Sequence, residues 1–248
     1  MRTLRSRRAG AALVAAAVLL TGATAVTLLH SHPHNGRRQA VAVPPTASRS
    51  AQNPARATHR ARAVAPINAA ALRWVDFHGM QLPISAADGP RDTRGGLASG
   101  FTDTPTGALL AAINIAVRTA FLWGPPIFEP TISRQVTGPD AATLLSSQAA
   151  AYRQLRPAAH VRPGQPIGRG YAAEAGYRLI TYTPADATFD VVAAGPGPNG
   201  ITVLTDTRLE VVRRGGDWRV VAPPDGNWET VATRVWSLSG YTAFPGQG

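Results

Sequence analysis

The chain of 248 residues contains no cysteine, no lysine and no acidic residue before Asp76. Without cysteine there is no disulfide framework, no thiolate zinc site and no cysteine nucleophile. The absence of lysine, beside abundant Ala, Arg, Gly and Pro, reads as the coding bias of a GC-rich genome rather than as a physical signal. The uneven placement of acids matters more. Residues 1–75 carry eleven arginines and no acid, whereas residues 76–248 carry fourteen of each, so the net charge of +11 belongs to the first third. A globular part without net charge lacks the electrostatic footprint of phosphate-backbone binding, and nucleic acid is not an expected partner. G-x-S-x-G, H-E-x-x-H and G-x-x-x-x-G-K-[ST] are also missing, which leaves no enzyme motif. A hydrophobic share of 44 % excludes wholesale disorder.

Residues 1–9 form a basic cytoplasmic stub with Arg2, Arg5, Arg7 and Arg8. From Gly10 to Leu29 follow twenty uncharged residues, about 30 Å as a helix, which predicts a transmembrane helix at 10–29 and the lipid bilayer as a partner. The arginine excess before it keeps the N-terminus in the cytoplasm and places the remainder outside the plasma membrane, single-pass. The alternative is a cleaved secretory signal with Ala23-Thr24-Ala25 as the A-x-A site, giving a secreted protein beginning at Val26. The apolar run continues through Val26, Leu28 and Leu29, which suits an anchor better. Residues 30–71 are rich in Pro, Ala and Arg without a period of 2 or 3.6, and are expected to be a disordered linker. His30, His32 and His34 have no accompanying carboxylate or cysteine and do not make a metal site; neither metal nor cofactor is expected.

Residues 72–248 read as an extracytoplasmic α+β domain. Leu72 to Ser85 suits two extended pieces around His78-Gly79. Thr104-Pro105 starts a largely buried helix that runs to about Trp123, with Leu109, Ile113, Val117 and Phe121 among its apolar positions, and Gly124-Pro125-Pro126 ends it. Ile127 to Thr137 is a compact connector. Gly138-Pro139-Asp140 opens a second helix, which Pro157 closes. Four long strands then follow, separated by Pro184-Ala185-Asp186, the Gly195–Gly200 turn and Gly215-Gly216.

Two helices followed by a meander that ends in Gly-Asp-Trp-Arg-Val resemble the nuclear-transport-factor-2-like, or cystatin-like, cone. The resemblance implies helices packed in a curved antiparallel four-stranded sheet. A stub, one spanning helix and such a domain are similar to the inner-membrane scaffold proteins of type IV secretion and conjugation systems. The stretch GFTDTPTGALLAAINIAVRTAFLWGPPIFEPTISRQVTG, Gly100 to Gly138, resembles uncharacterised actinobacterial membrane proteins of mobile elements. The implied function is a non-enzymatic, membrane-anchored scaffold or assembly protein of a conjugative transfer apparatus. Its partners would be other membrane-assembly proteins or further copies of itself.

Residues expected to dock partners are Ile127, Phe128 and Ile132 in the connector and Trp236 and Tyr241 in the tail. The second class of function is a secreted ligand-binding protein or hydrolase, which requires an acid inside the domain. Strand alternation turns Asp190, Asp206 and Glu210 outward. Glu174 and Asp76 could face inward, although a surface place is the default for both. His78 and His160 form no triad readable from spacing. Asn114 interrupts the buried stripe of the first helix one turn before Arg118, close enough to bond it.

Overall fold

The computed structural model describes residues 66–246. The stub, the proposed spanning segment at 10–29, the histidine run and nearly all of the 30–71 linker lie outside them. Among the described residues no helix is long and apolar enough to cross a membrane.

The domain begins within the last residues assigned to the linker. The Asn68 N–H donates to Thr106 Oγ1 at 3.1 Å, and Ile67 and Ala69 pack on the core. A hairpin follows, β1 (Arg73–Phe77) and β2 (Met80–Ile84), turning at His78-Gly79, both at positive φ. Helix α1 (Pro105–Arg118) starts where its residues dictate. Thr104 is the N-cap, its hydroxyl accepting from Gly107 N at 3.0 Å, and Pro105 takes the first position, where a missing N–H costs nothing. All fourteen residues of α1 are buried, as expected of a helix apolar on every side. Its alanines leave room for close neighbours, among them β2 and strands that come later in the chain.

The connector is a correction. Residues Pro125–Gln135 form a second helix, α2. Helix α1 also stops at Arg118 rather than near Trp123, so Gly124 at φ +83° caps only a short turn, and Pro125 and Pro126 occupy the opening positions of a new helix. Between α1 and α2 only a 3-10 turn at Phe121–Trp123 remains. Strand β3 (Val136–Thr137) leads to helix α3 (Ala141–Leu155).

Four long strands come next: β4 (Ala173–Tyr182), β5 (Asp186–Pro196), β6 (Thr202–Arg214) and β7 (Asp217–Val221). The expected four-stranded antiparallel cone is nevertheless overturned. Short pieces extend the meander at both ends into a mixed nine-stranded sheet, order β1-β2-β4-β5-β6-β7-β3, curled into a half-barrel around α1. β2 meets β4 in parallel at Gln81↔Ala173, and β3 runs parallel to β7. β6 is long enough to serve two neighbours, pairing β7 through Val211–Arg214 and β8 (Ala232–Val235) through Leu204–Thr207. The tail returns to pair β9 (Thr242–Ala243) with β4 at Gly176 and Tyr177.

Side chains bind the glycine-rich loop before α1. Asp217 accepts from Gly100 N and Phe101 N at 2.7 and 3.2 Å, and Asp88 accepts from the hydroxyls of Thr102 and Thr104, each at 2.7 Å. Gln135 bonds the backbone of Ala98 in both directions. Such pairing satisfies polar groups that irregular backbone would otherwise bury unbonded.

Candidate functional site

The interior holds one acid, Glu174, for which the sequence makes a surface place the default and an inward one the alternative. β4 carries a bulge at Ala175, where Glu174 pairs with Ala193 but Gly176 pairs with Val192. The extra residue lets both Glu174 and Tyr177 face α1, and bulges commonly re-aim a side chain in this way. Glu174 is fully buried, and neither carboxyl oxygen has a hydrogen-bond partner among the described residues. Burial pushes the carboxyl up to about 8, so it is protonated at neutral pH. It borders a cavity of about 10 Å³, walled by Ile113, Val117, Val191 and Leu209 and by Thr207, whose hydroxyl is also without a partner. That volume is near the minimum for a single water. A neutral acid in so small a space can hold a proton but cannot receive a substrate.

The outer face of the sheet carries a second cluster. Asp190, 1 % exposed, is gripped by Arg178 at 2.6 Å and Arg208 at 2.8 Å. Burial opposes its ionisation, yet the hydrogen bonds from Arg208 and Arg178 outweigh it and hold Asp190 below the usual carboxylate range. The Tyr241 hydroxyl donates to Asp206 Oδ2 at 2.8 Å, and Arg178 lies 4.7 Å from the ring centroid. Burial and the neighbouring Asp206 push the Tyr241 phenol up to about 12. Tyr241 thus latches the tail onto the sheet.

A third group lies at the end of α1. Asn114 donates from Nδ2 to Pro83 O and Leu110 O, while Arg118 Nη1 donates to Asn114 O at 2.8 Å and to Asn114 Oδ1 at 2.9 Å. Arg118 is 4 % exposed and belongs to no ion pair among the described residues. Burial alone lowers its guanidinium to about 10, and the face of Phe77 supports it, 4.3 Å from centroid to Cζ.

The expected docking residues divide. Phe128 and Ile132 are buried in the core and Ile127 packs against it, because the connector is a helix with an inward face. Phe128 and Ile132 therefore present no docking face, and Ile127 is half-buried. Tyr241 is committed to Asp206. Trp236 is 81 % exposed, with Arg234 stacked 4.2 Å from its ring centroid. The other four tryptophans each donate their indole N–H to a protein oxygen: Trp74 to Pro245, Trp123 to Val117, Trp218 to Thr102 and Trp228 to Thr119. Asp76 is exposed near the hairpin turn and His160 is exposed after α3. No three His, Asp or Glu side chains among the described residues gather as a metal site.

A family model described as a domain of unknown function, DUF8175, matches residues 31–243. No curated protein and no solved structure matches the chain.

Proposed function

The chain belongs to the DUF8175 family, whose description names no activity, and from its own residues we propose that it is a non-enzymatic, membrane-anchored assembly protein that acts through its surface. Residues 10–29 are its anchor, the linker sets the domain away from the lipid, and the domain docks other proteins. The likeness of Gly100 to Gly138 to membrane proteins of conjugative elements favours a transfer apparatus as the setting. The exposure of Trp236 carries the reading. An indole this exposed buries little surface in the fold, while aromatic anchors of this kind dominate binding energy at protein interfaces. The filled interior adds support, because α1 occupies the concave side of the sheet.

A secreted ligand-binding protein or hydrolase draws on Glu174 as its interior acid. The cavity beside that acid speaks against it, since ligand pockets are of the order of 300 Å³ or more.

Association of the full-length protein is measured by sedimentation in detergent and by cross-linking in native membranes. Trp236→Ser is expected to weaken association about thirtyfold, the loss typical of a central aromatic anchor, and to leave the melting temperature unchanged. Equal association of variant and wild type, or a mature chain beginning at Val26 in the medium, contradicts the reading.

A further inference from the structure

Arg118 presents a problem that the assembly role does not solve. A buried guanidinium with no carboxylate nearby is costly, and only part of that cost is met here. Nη1 is engaged by Asn114 at the C-terminal end of α1, where the helix dipole also favours a cation. Nη2 and Nε have no hydrogen-bond partner among the described residues, and neither is among the partnerless atoms sealed from solvent. Among the described residues the unbonded edge of the fork is therefore not sealed from solvent.

A histidine and a second arginine lie near that edge on separate parts of the chain. The His78 ring lies 4.8 Å from that of Phe77 and stacks on Trp123 at 5.4 Å and 20°. Its backbone is held at φ +52°, and its carbonyl accepts from Gly170 N at 2.9 Å. That bond ties the loop before β4 to the hairpin. Arg169, exposed on this loop, lies so close to the turn that a Cβ on Gly79 would stand 3.1 Å from its Nε. Burial lowers the His78 pKa, Asp76 opposes that shift, and Arg118 and Arg169 add to it, so the imidazole is neutral at pH 7 and donates from one nitrogen. From Ala141 to Ala173 the chain has four arginines and no acid, so nothing on that segment neutralises the face. The Arg118 fork, the Arg169 guanidinium and the His78 imidazole together offer donors that complement a compact oxyanion.

We propose that Arg118, His78 and Arg169 form a binding site for a phosphoryl oxyanion, either free phosphate or the phosphate of a lipid headgroup. Arg118 supplies the oriented donors from a fixed position. Arg169 supplies charge from a loop able to adjust, and His78 closes the third side.

The test follows the melting temperature of the full-length protein in inorganic phosphate against sodium chloride of equal ionic strength. A second arm follows flotation with phosphatidylglycerol vesicles against phosphatidylcholine vesicles. Phosphate at ten times its dissociation constant is expected to raise the melting temperature by about 4 °C. Arg169→Ser and His78→Asn are expected to abolish the response while folding normally, since one is at the surface and asparagine accepts the positive φ. Arg118→Met is expected to melt higher than wild type without phosphate and to ignore it. A response to phosphatidylglycerol alone, lost in Arg169→Ser and His78→Asn, identifies the headgroup as the source. No response in either arm, or a response that survives in both Arg169→Ser and His78→Asn, overturns the site whether or not Arg118→Met folds.

Discussion

Glu174→Met is expected to raise the stability of the domain at pH 8 by about 4 kcal/mol and to remove most of its dependence on pH. In the folded chain the carboxyl titrates at about 8, against 4.5 when it is free. Below pH 4.5 both states hold the proton and the acid makes no difference. Between 4.5 and about 8 the unfolded chain releases the proton while the folded chain keeps it, so stability falls steadily as the pH rises. Above about 8 the loss is complete. Methionine is similar in length, has no charge to desolvate and suits a space walled by Ile113, Val117, Val191 and Leu209. Glu174→Gln should flatten the pH profile equally with a smaller gain, because its amide keeps the polar atoms without partners. Urea unfolding of the wild type at pH 5 and pH 8 is the direct check, and equal stabilities would remove the premise.

The opposite sign is expected for Gly107→Ala, a change that ordinarily strengthens a helix. The loop before α1 folds back so closely that a Cβ at Gly107 would lie 2.3 Å from the Thr102 carbonyl oxygen and 2.6 Å from its Oγ1. Neither atom is free to move. The carbonyl accepts from Trp218 Nε1 at 2.7 Å and the hydroxyl donates to Asp88 at 2.7 Å. One methyl group therefore displaces two of the bonds that fix the loop, one to Trp218 of the sheet and one to Asp88. A loss of about 3 kcal/mol is expected, at the upper end of overpacking effects, measurable by chemical denaturation. A variant within 1 kcal/mol of wild type would show that the loop yields.

The parts of this fold legible in the sequence are those that repeat long enough to show a period. Helices α1 and α3, the hairpin at His78-Gly79 and the strands of the meander occur where apolar spacing and turn residues place them. Helix α2 is masked in the sequence because Gly124-Pro125-Pro126 signals a helix end, although the two prolines stand where proline begins a helix. With the helix missed, Phe128 and Ile132 looked available to partners when they face inward. β3 and β9, of two residues each, have no pattern of their own. Their places are decided by distant strands, two of the sheet's pairings being parallel. Glu174 was obscured by a single inserted residue, since a bulge reverses the parity on which alternation depends. The bond between Asn114 and Arg118 was within reach of helical spacing; the lack of a counter-charge for Arg118 was not.

The tail ends beside the point where the domain begins. Phe244 packs edge-on to Trp74 and its N–H donates to Ala175 O at 3.0 Å, while Trp74 Nε1 donates to Pro245 O at 3.1 Å. The polypeptide thus enters and leaves at one corner, and β1, a sheet edge, is the strand that meets any tension on the incoming chain. A pull from that side peels the hairpin from its open end, and the first contacts to feel it are those that fasten the last residues. Mechanical load on the chain upstream of Pro66 is therefore coupled to whether the carboxyl end stays locked.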